Sequence, residues 1–205
     1  MKSKSIILFE AAAAFGIIIT ILVTGITSFA ADYKGITDNV LRLHILANSD
    51  SLSDQELKLK VRDEILKETS YIFEQSTDIN AAKAAAAAAL PEIERIAAET
   101  VKRSGYNYPV SAELTKMQFD TRVYGDITMP AGEYEAIRIT IGEAEGKNWW
   151  CVMFPPLCIP AVAADEPIEV FNGVLDESEE DILTNPQKYE ARFFIIDLIN
   201  DIKGE

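Results

Sequence analysis

The sequence is poor in the side chains that carry most catalytic and metal-binding chemistry. Its 205 residues include one histidine, His44, and two cysteines, Cys151 and Cys158. These residues supply at most three soft ligands and lack the close spacing of a zinc site. A glycine-rich phosphate loop is also missing, because residues 142–146 (GEAEG) carry carboxylates where a phosphate needs bare backbone amides. We therefore expect no metal and no cofactor.

Basic residues are scarce as well. Nineteen Lys and Arg residues stand against 33 Asp and Glu residues, which gives a net charge of -14. A surface this acidic repels phosphate backbones and anionic lipid headgroups, so nucleic acid is excluded as a partner. The composition, 48% hydrophobic and 25% charged, is typical of a globular domain and not of a disordered chain.

A long hydrophobic run is present only at the N terminus. Two lysines, Lys2 and Lys4, precede an apolar stretch, and Ser28 and Ala30 provide small residues at the spacing that a signal peptidase recognises. We prefer the interpretation of residues 1–31 as a cleaved signal peptide. The alternative is a retained membrane anchor, because residues 6–29 approach the length needed to span a bilayer.

The remaining residues, 32–205, are expected to form a single exported domain. Residues 40–46, 110–119, 134–141 and 149–154 have the composition and alternation of strands. Three helices are predicted. The first begins at a Ser53 capping box, the second runs from an Asn80 cap to about residue 103 with a kink or break at Pro91, and the third spans about 189–204. This order, β-α-α-β-β-β-α, predicts an α+β fold with helices packed on one face of an antiparallel sheet.

The histidine and the cysteines leave two questions open. A Cys–His hydrolase would pair His44 with Cys151 or Cys158, but neither cysteine lies at a glycine-flanked turn or a clear helix start, and a structural histidine is the preferred interpretation. The two cysteines flank a Pro-Pro turn. They are expected either to form a disulfide or to remain two buried thiols.

The most unusual feature is the segment 148–158 (NWWCVMFPPLC). On a strand, Trp149, Cys151 and Met153 would point to one face, and Trp150, Val152 and Phe154 to the other. Both faces are then large and apolar, although helices would cover only one. The segment is therefore either a central strand beneath a loop or a recognition surface. The residues predicted to bind a partner are Trp149, Trp150, Phe154, Pro155 and Pro156, with Asn48 and Asp50 as further turn contacts.

Two blocks of sequence resemble the stage II sporulation protein R family. The first is residues 41–51 (LRLHILANSDS), and the second comprises 121–126 (TRVYGD), 130–136 (PAGEYEA) and 148–158 (NWWCVMFPPLC). With the export segment, the resemblance covers nearly the whole chain. Asp120 differs from the proline expected before the second block.

The resemblance implies a function without catalysis. A member of this family is expected to be made in the forespore of an endospore-forming bacterium and exported into the space between forespore and mother cell. There it would activate a membrane-embedded aspartic protease of the mother cell, stage II sporulation protease GA, which removes the pro-sequence of sigma E. The family offers no catalytic residues, so the expected role is that of a ligand. The alternatives are an exported Cys/His hydrolase and a structural module of the envelope.

Overall fold

The computed structural model describes residues 4–157, 171, 173–190 and 192–194. The domain has strands and helices in both halves, together with an apolar N-terminal helix, which confirms the predicted mixture. In chain order, the described elements are α1 (Lys4–Asp38), β1 (Leu41–Leu46), α2 (Leu52–Glu74), α3 (Ile79–Arg103), β2 (Val110–Phe119), β3 (Arg122–Tyr124), β4 (Ile127–Met129), β5 (Gly132–Ile141), β6 (Asn148–Phe154), α4 (Glu177–Thr184) and a 3-10 helix (Pro186–Lys188). The predicted last helix lies mostly outside the described residues.

The main sheet has four strands in the order β2-β5-β1-β6. β2 pairs with β5 and β6 pairs with β1 in antiparallel fashion, but β1 and β5 run parallel. The expectation of a purely antiparallel sheet was therefore wrong at its centre. A parallel pair needs a long crossover, and the chain between β1 and β5, which contains α2, α3 and β2 to β4, supplies it. A separate antiparallel hairpin, β3–β4, was not predicted.

Helices α2 and α3 cover one face of the sheet. Their apolar side chains pack against alternate residues of β1 and β5, among them Leu43 and Ile137. The first cap is Ser51, whose hydroxyl accepts from the amide of Asp54, and not the predicted Ser53. The second is Asp78 in place of the predicted Asn80.

Pro91 lies inside α3 and does not divide it. Proline removes one backbone hydrogen bond from a helix. Buried residues on both sides of it, including Ala89 and Ile93, belong to the same core cluster. We attribute the continuity of α3 to this packing, which holds the helix together across the lost bond.

The opposite face of the sheet is covered in part by the last turns of α1, by the β3–β4 hairpin and by α4. The shared core there includes Ile36 of α1, Ile127 of β4, Tyr134 of β5 and Ile182 of α4. The expectation of helices on one face alone is thereby corrected. The sequence did not indicate this second covering layer, because the residues of α1 have the pattern of a targeting segment.

Helix α1 is long and apolar enough to cross a membrane by length and composition. Within the described residues, the stretch Leu8–Asp38 has a mean hydropathy of 2.1 over its most apolar window, and little of that window is buried. The expected boundary at residue 31 falls inside this helix, which continues without interruption to Asp38.

Candidate functional site

The sheet face opposite α2 and α3 carries a stacked pair of rings. His44 of β1 and Trp150 of β6 are neighbours in the strand register, and their rings lie parallel with centroids 4.0 Å apart. Phe119, the last residue of β2, meets Trp150 edge to face at 4.7 Å. His44 is 3% exposed, whereas Trp150 is half-buried. These three rings, together with Arg122 and Arg138 beside them, are called the Trp150 face below.

His44 is held as a neutral ring. Its Nε2–H donates to Oδ1 of Asn148 at 3.0 Å, and its buried Nδ1 has no partner among the described residues. Burial lowers the pKa of His44, and the positive charge of Arg138 acts in the same direction, while the hydrogen bond to Asn148 opposes them. The ring therefore serves as a flat platform for Trp150 and not as a charged group.

Two guanidinium groups border the rings. Arg122 lies 5.8 Å from the centroid of Trp150, a cation–π distance, and forms a long ion pair with Asp120. Arg138 is opposite His44 in the register and bonds to the exposed Glu113 at 3.1 Å. The Trp150 face thus combines a half-buried indole with two guanidinium groups, each paired with an exposed carboxylate of the same chain.

Beneath these groups lies a completely buried arginine. Arg42 is 0% exposed; its Nε donates to the carbonyl of Cys151 and its Nη2 to the hydroxyl of Tyr124. Its guanidinium carbon lies 4.3 Å from the ring centroid of Phe119 and 4.9 Å from that of Tyr134. Within the described part of the chain no carboxylate pairs with Arg42. Aromatic rings and neutral oxygens surround this cation, which ties the β3–β4 hairpin to the sheet.

The residues of the Trp-rich segment divide between the two faces of the sheet. Trp149 lies on the α2 side, half-buried beneath the guanidinium of Arg62 at 4.2 Å. Phe154 was expected beside Trp150, but it is 3% exposed and packs with the α2–α3 core. A register shift between Leu41 and Arg42 reverses the alternation there.

The two prolines follow directly. Pro155 is buried and Pro156 half-buried, and the bond between Phe154 and Pro155 is cis. Of the side chains predicted to bind a partner in this segment, Trp149, Trp150 and Pro156 remain half-buried, and Trp150 differs from Trp149 in lying on the sheet face opposite α2 and α3, beside Arg122. Phe154 and Pro155 belong to the interior.

Asn48 and Asp50 are engaged within the chain. Asn48 accepts from the amide of Glu143 through Oδ1 and donates to Asp54 through Nδ2 at 2.9 Å. Asp50 accepts from the amide of Lys147 at 2.6 Å. Together they fasten the β5–β6 turn to the start of α2. Hydrogen bonds from Asn48 and Ser49 lower the pKa of Asp54. A partner-binding role for Asn48 and Asp50 stays a prediction.

The geometry separates the residues of the supposed hydrolase. Cys151 pairs with Leu43, and both side chains belong to the core beneath α2 and α3. His44 belongs to the opposite face, so these two groups do not form a dyad. Cys151 is disulfide-bonded. Cys158 lies outside the described residues, so its pairing with Cys151 remains a prediction. No three His, Cys, Asp or Glu side chains gather as metal ligands within the described ranges.

Sequence reasoning did not assign roles to Arg42 and Arg138. The signal was present, because Arg42 and His44 are two positions apart on β1, and Arg138 alternates with Ile137 and Ile139 on β5. What the sequence could not give is the adjacency of β1 with β5 and β6, which brings these side chains together.

The comparisons with known proteins agree with the resemblance. The sequence model described as stage II sporulation protein R matches residues 37–164. A protein of Bacillus subtilis (strain 168) named Stage II sporulation protein R is 39% identical over 185 residues, which is 82% of this chain and 83% of that protein. No solved structure matches the chain.

Proposed function

The chain belongs to the stage II sporulation protein R family, and on this premise we propose that it is an exported ligand that activates a protease in sporulation. Membership gives the protein a role in sporulation. The finer proposal is that residues after α1 act in the space between forespore and mother cell. Their target is the membrane-embedded aspartic protease of the mother cell, stage II sporulation protease GA, which then processes pro-sigma E.

The single observation that supports a ligand is the Trp150 face. A half-buried indole that rests on a buried ring and is bordered by arginines is the kind of anchor that dominates protein interfaces. Arg122 and Arg138 are ion-paired with the exposed Asp120 and Glu113, and carboxylates of the protease would replace or join these partners on binding. His44 fixes the plane of Trp150, so little side-chain freedom is lost on binding.

Activation by binding sets a physical requirement. A ligand shifts a two-state protease only if it binds the active state more tightly than the resting state. Conversion from 1% to 99% active would need about a 10⁴-fold preference, roughly 5.5 kcal/mol. A small number of anchor residues, each worth about 2 kcal/mol or more, would supply that difference if their contacts form with the active state alone.

The neighbouring tryptophans provide a matched test. Trp150→Ala removes the indole of the Trp150 face, whereas Trp149→Ala removes a similar ring from the α2 side of the same strand. In sporulating cells that make either variant, we expect pro-sigma E processing to fail or slow at least tenfold with Trp150→Ala, and to persist with Trp149→Ala at matched protein levels. Normal processing by a folded Trp150→Ala variant would remove this face from the interface.

The remaining alternatives give different outcomes. An exported hydrolase that uses Cys151 would lose activity with Cys151→Ser while remaining folded, although the structure places His44 on the other face of the sheet. A structural envelope module predicts that cells lacking the gene still process pro-sigma E. Cys151→Ser also removes a disulfide from the core, so its melting temperature must be measured beside its activity. Processing that depends on the gene and falls with Cys151→Ser only as far as the folded protein does supports the ligand.

A further inference from the structure

The last turns of α1 are part of the folded domain. Exposure along α1 changes abruptly: the described side chains before Phe29 are almost all exposed, and Phe29 is 3% exposed. Phe29, Tyr33, Ile36 and Val40 recur at helical spacing and all pack in the second core cluster. A single continuous helix thus has an apolar exposed part and a docked part.

The docking is close and specific. Phe29 stacks on Tyr189 with centroids 5.5 Å apart and meets Phe193 edge to face at the same distance. Gly35 faces the carboxylate of Glu179 in α4, and a Cβ at this position would collide with it. A Cβ built on Gly132 of β5 would lie 3.0 Å from the hydroxyl of Tyr33. Helix α1 therefore approaches both α4 and β5 at glycines.

The exposed part matches the thickness of a bilayer. Residues 11–31 contain no charged side chain, and Asp32, Lys34 and Asp38 follow. The exposed part of this stretch, residues 11–28, is eighteen residues long and spans about 27 Å as a helix, close to the hydrocarbon thickness of about 30 Å. The apolar span ends within a turn of Phe29, where docking begins, so no linker separates the two.

These contacts bear on the two bonds that flank Ala31, where signal peptidase is expected to cut. Both bonds lie inside an unbroken helix, within two residues of the buried Phe29. Cleavage in a packed helix requires local unfolding. It would also remove Phe29 from the aromatic cluster with Tyr189 and Phe193.

We propose that α1 is retained after export as a membrane anchor whose last turns are built into the domain, with the lipid bilayer as the partner of its exposed apolar surface. The domain is then seated directly on the membrane, and its orientation is fixed by Phe29, Tyr33 and Ile36. This inference concerns the same exported protein as the proposed function, but it does not depend on which protease is activated.

Intact mass spectrometry of the full chain isolated from sporulating cells tests retention. The expected mass includes α1, and the protein is expected in the membrane fraction after a carbonate wash. A mass that begins at Ala31 or Asp32 would overturn the proposal. The assay of pro-sigma E processing on the same cells separates the two ideas, because a cleaved chain that still signals refutes retention and leaves the ligand function standing.

A matched pair of phenylalanines tests docking. In the full chain in detergent, Phe29→Ala is expected to lower the Tm by about 6–20 °C, because a buried ring is lost from the core. Phe15→Ala, at a position 64% exposed, is expected to leave the Tm unchanged. Phe29→Leu should fall between them if Phe29→Ala proves too unstable to purify. Equal melting of all these proteins would show that α1 is not docked.

Discussion

The bonds of Asn48 provide the sharpest test of how the fold supports the Trp150 face. Asn48 joins the first block of the family resemblance to the β5–β6 turn, through one bond from the amide of Glu143 and one to the buried carboxylate of Asp54. Asn48→Ala removes both and leaves Asp54 with fewer donors. We expect this substitution to act through stability and not through lost contact with a partner.

The magnitude follows from the two bonds. A hydrogen bond to a charged acceptor contributes about 1.5–3 kcal/mol and a neutral one about 0.5–1.5 kcal/mol, so Asn48→Ala should cost roughly 2–4 kcal/mol. For a chain of this size, that corresponds to a Tm lower by about 4–16 °C. The assay is thermal unfolding followed by circular dichroism, with pro-sigma E processing measured below the transition.

The control is Asn107→Ala, because Asn107 is exposed in the loop between α3 and β2. It should melt like the unsubstituted protein. The reasoning is refuted if Asn48→Ala melts within 1–2 °C of Asn107→Ala. If it then also fails to signal, Asn48 contacts the partner directly, as the sequence alone suggested.

Three further predictions rest on single positions. The buried neutral His44 has a pKa below its ordinary value of about 6.5, so its contribution to stability is complete above that pH and is lost as the pH falls toward the folded-state pKa. Unfolding by urea between pH 7 and pH 5 should show this loss, and His44→Phe should flatten it; an unchanged slope in that variant would assign the effect elsewhere. Gly142→Ala should lower the free energy of unfolding by at least about 1–2 kcal/mol, because φ is 63° and the added Cβ would collide with Asn48. Gly146 is not a suitable control, because a Cβ there would collide with the backbone of Ser49. Asp176→Ala should cost about 1 kcal/mol by removing the capping box of α4, and an unaffected urea midpoint would argue against that cap.

Much of the domain could be predicted because the local patterns are strong. The bounds of β2 match the expected residues 110–119, and the alternation of Arg138 with Ile137 and Ile139 places them on opposite faces as expected. Helix α3 ends before Gly105, which has the positive φ that suits a helix terminus. These features depend on neighbours in sequence, so the sequence alone was sufficient.

The features that were missed depend on contacts distant in sequence. The parallel pairing of β1 with β5 is set by how α2 and α3 cross the sheet, and alternation within a strand carries no information on direction. Phe154 reverses its expected face because of the register shift at Leu41, which no local pattern indicates. Ser51 and Ser53 were equally suitable caps by residue type, and hydrogen bonds around Asp54 favour the first.

The candidate site shows the same division. The sequence identified Trp150 as unusual, but its importance relative to Trp149 and Phe154 appeared only when the strands were placed. Helix α1 is instructive for a different reason. The spacing of Phe29, Tyr33, Ile36 and Val40 was visible in the sequence, but the hydrophobic run before it led to a targeting interpretation of the whole segment.

Direct binding tests the central claim that the protein acts by contact through the Trp150 face. The full chain, including α1, would be titrated against the purified membrane protease held in lipid nanodiscs. The Trp149→Ala and Trp150→Ala variants would be measured in the same way. The account predicts saturable binding by the unsubstituted chain and by Trp149→Ala, and at least about 30-fold weaker binding by Trp150→Ala, as expected for an interface anchor worth 2 kcal/mol or more. Equal affinity of all three proteins, or absence of binding where processing still requires the protein, would contradict it.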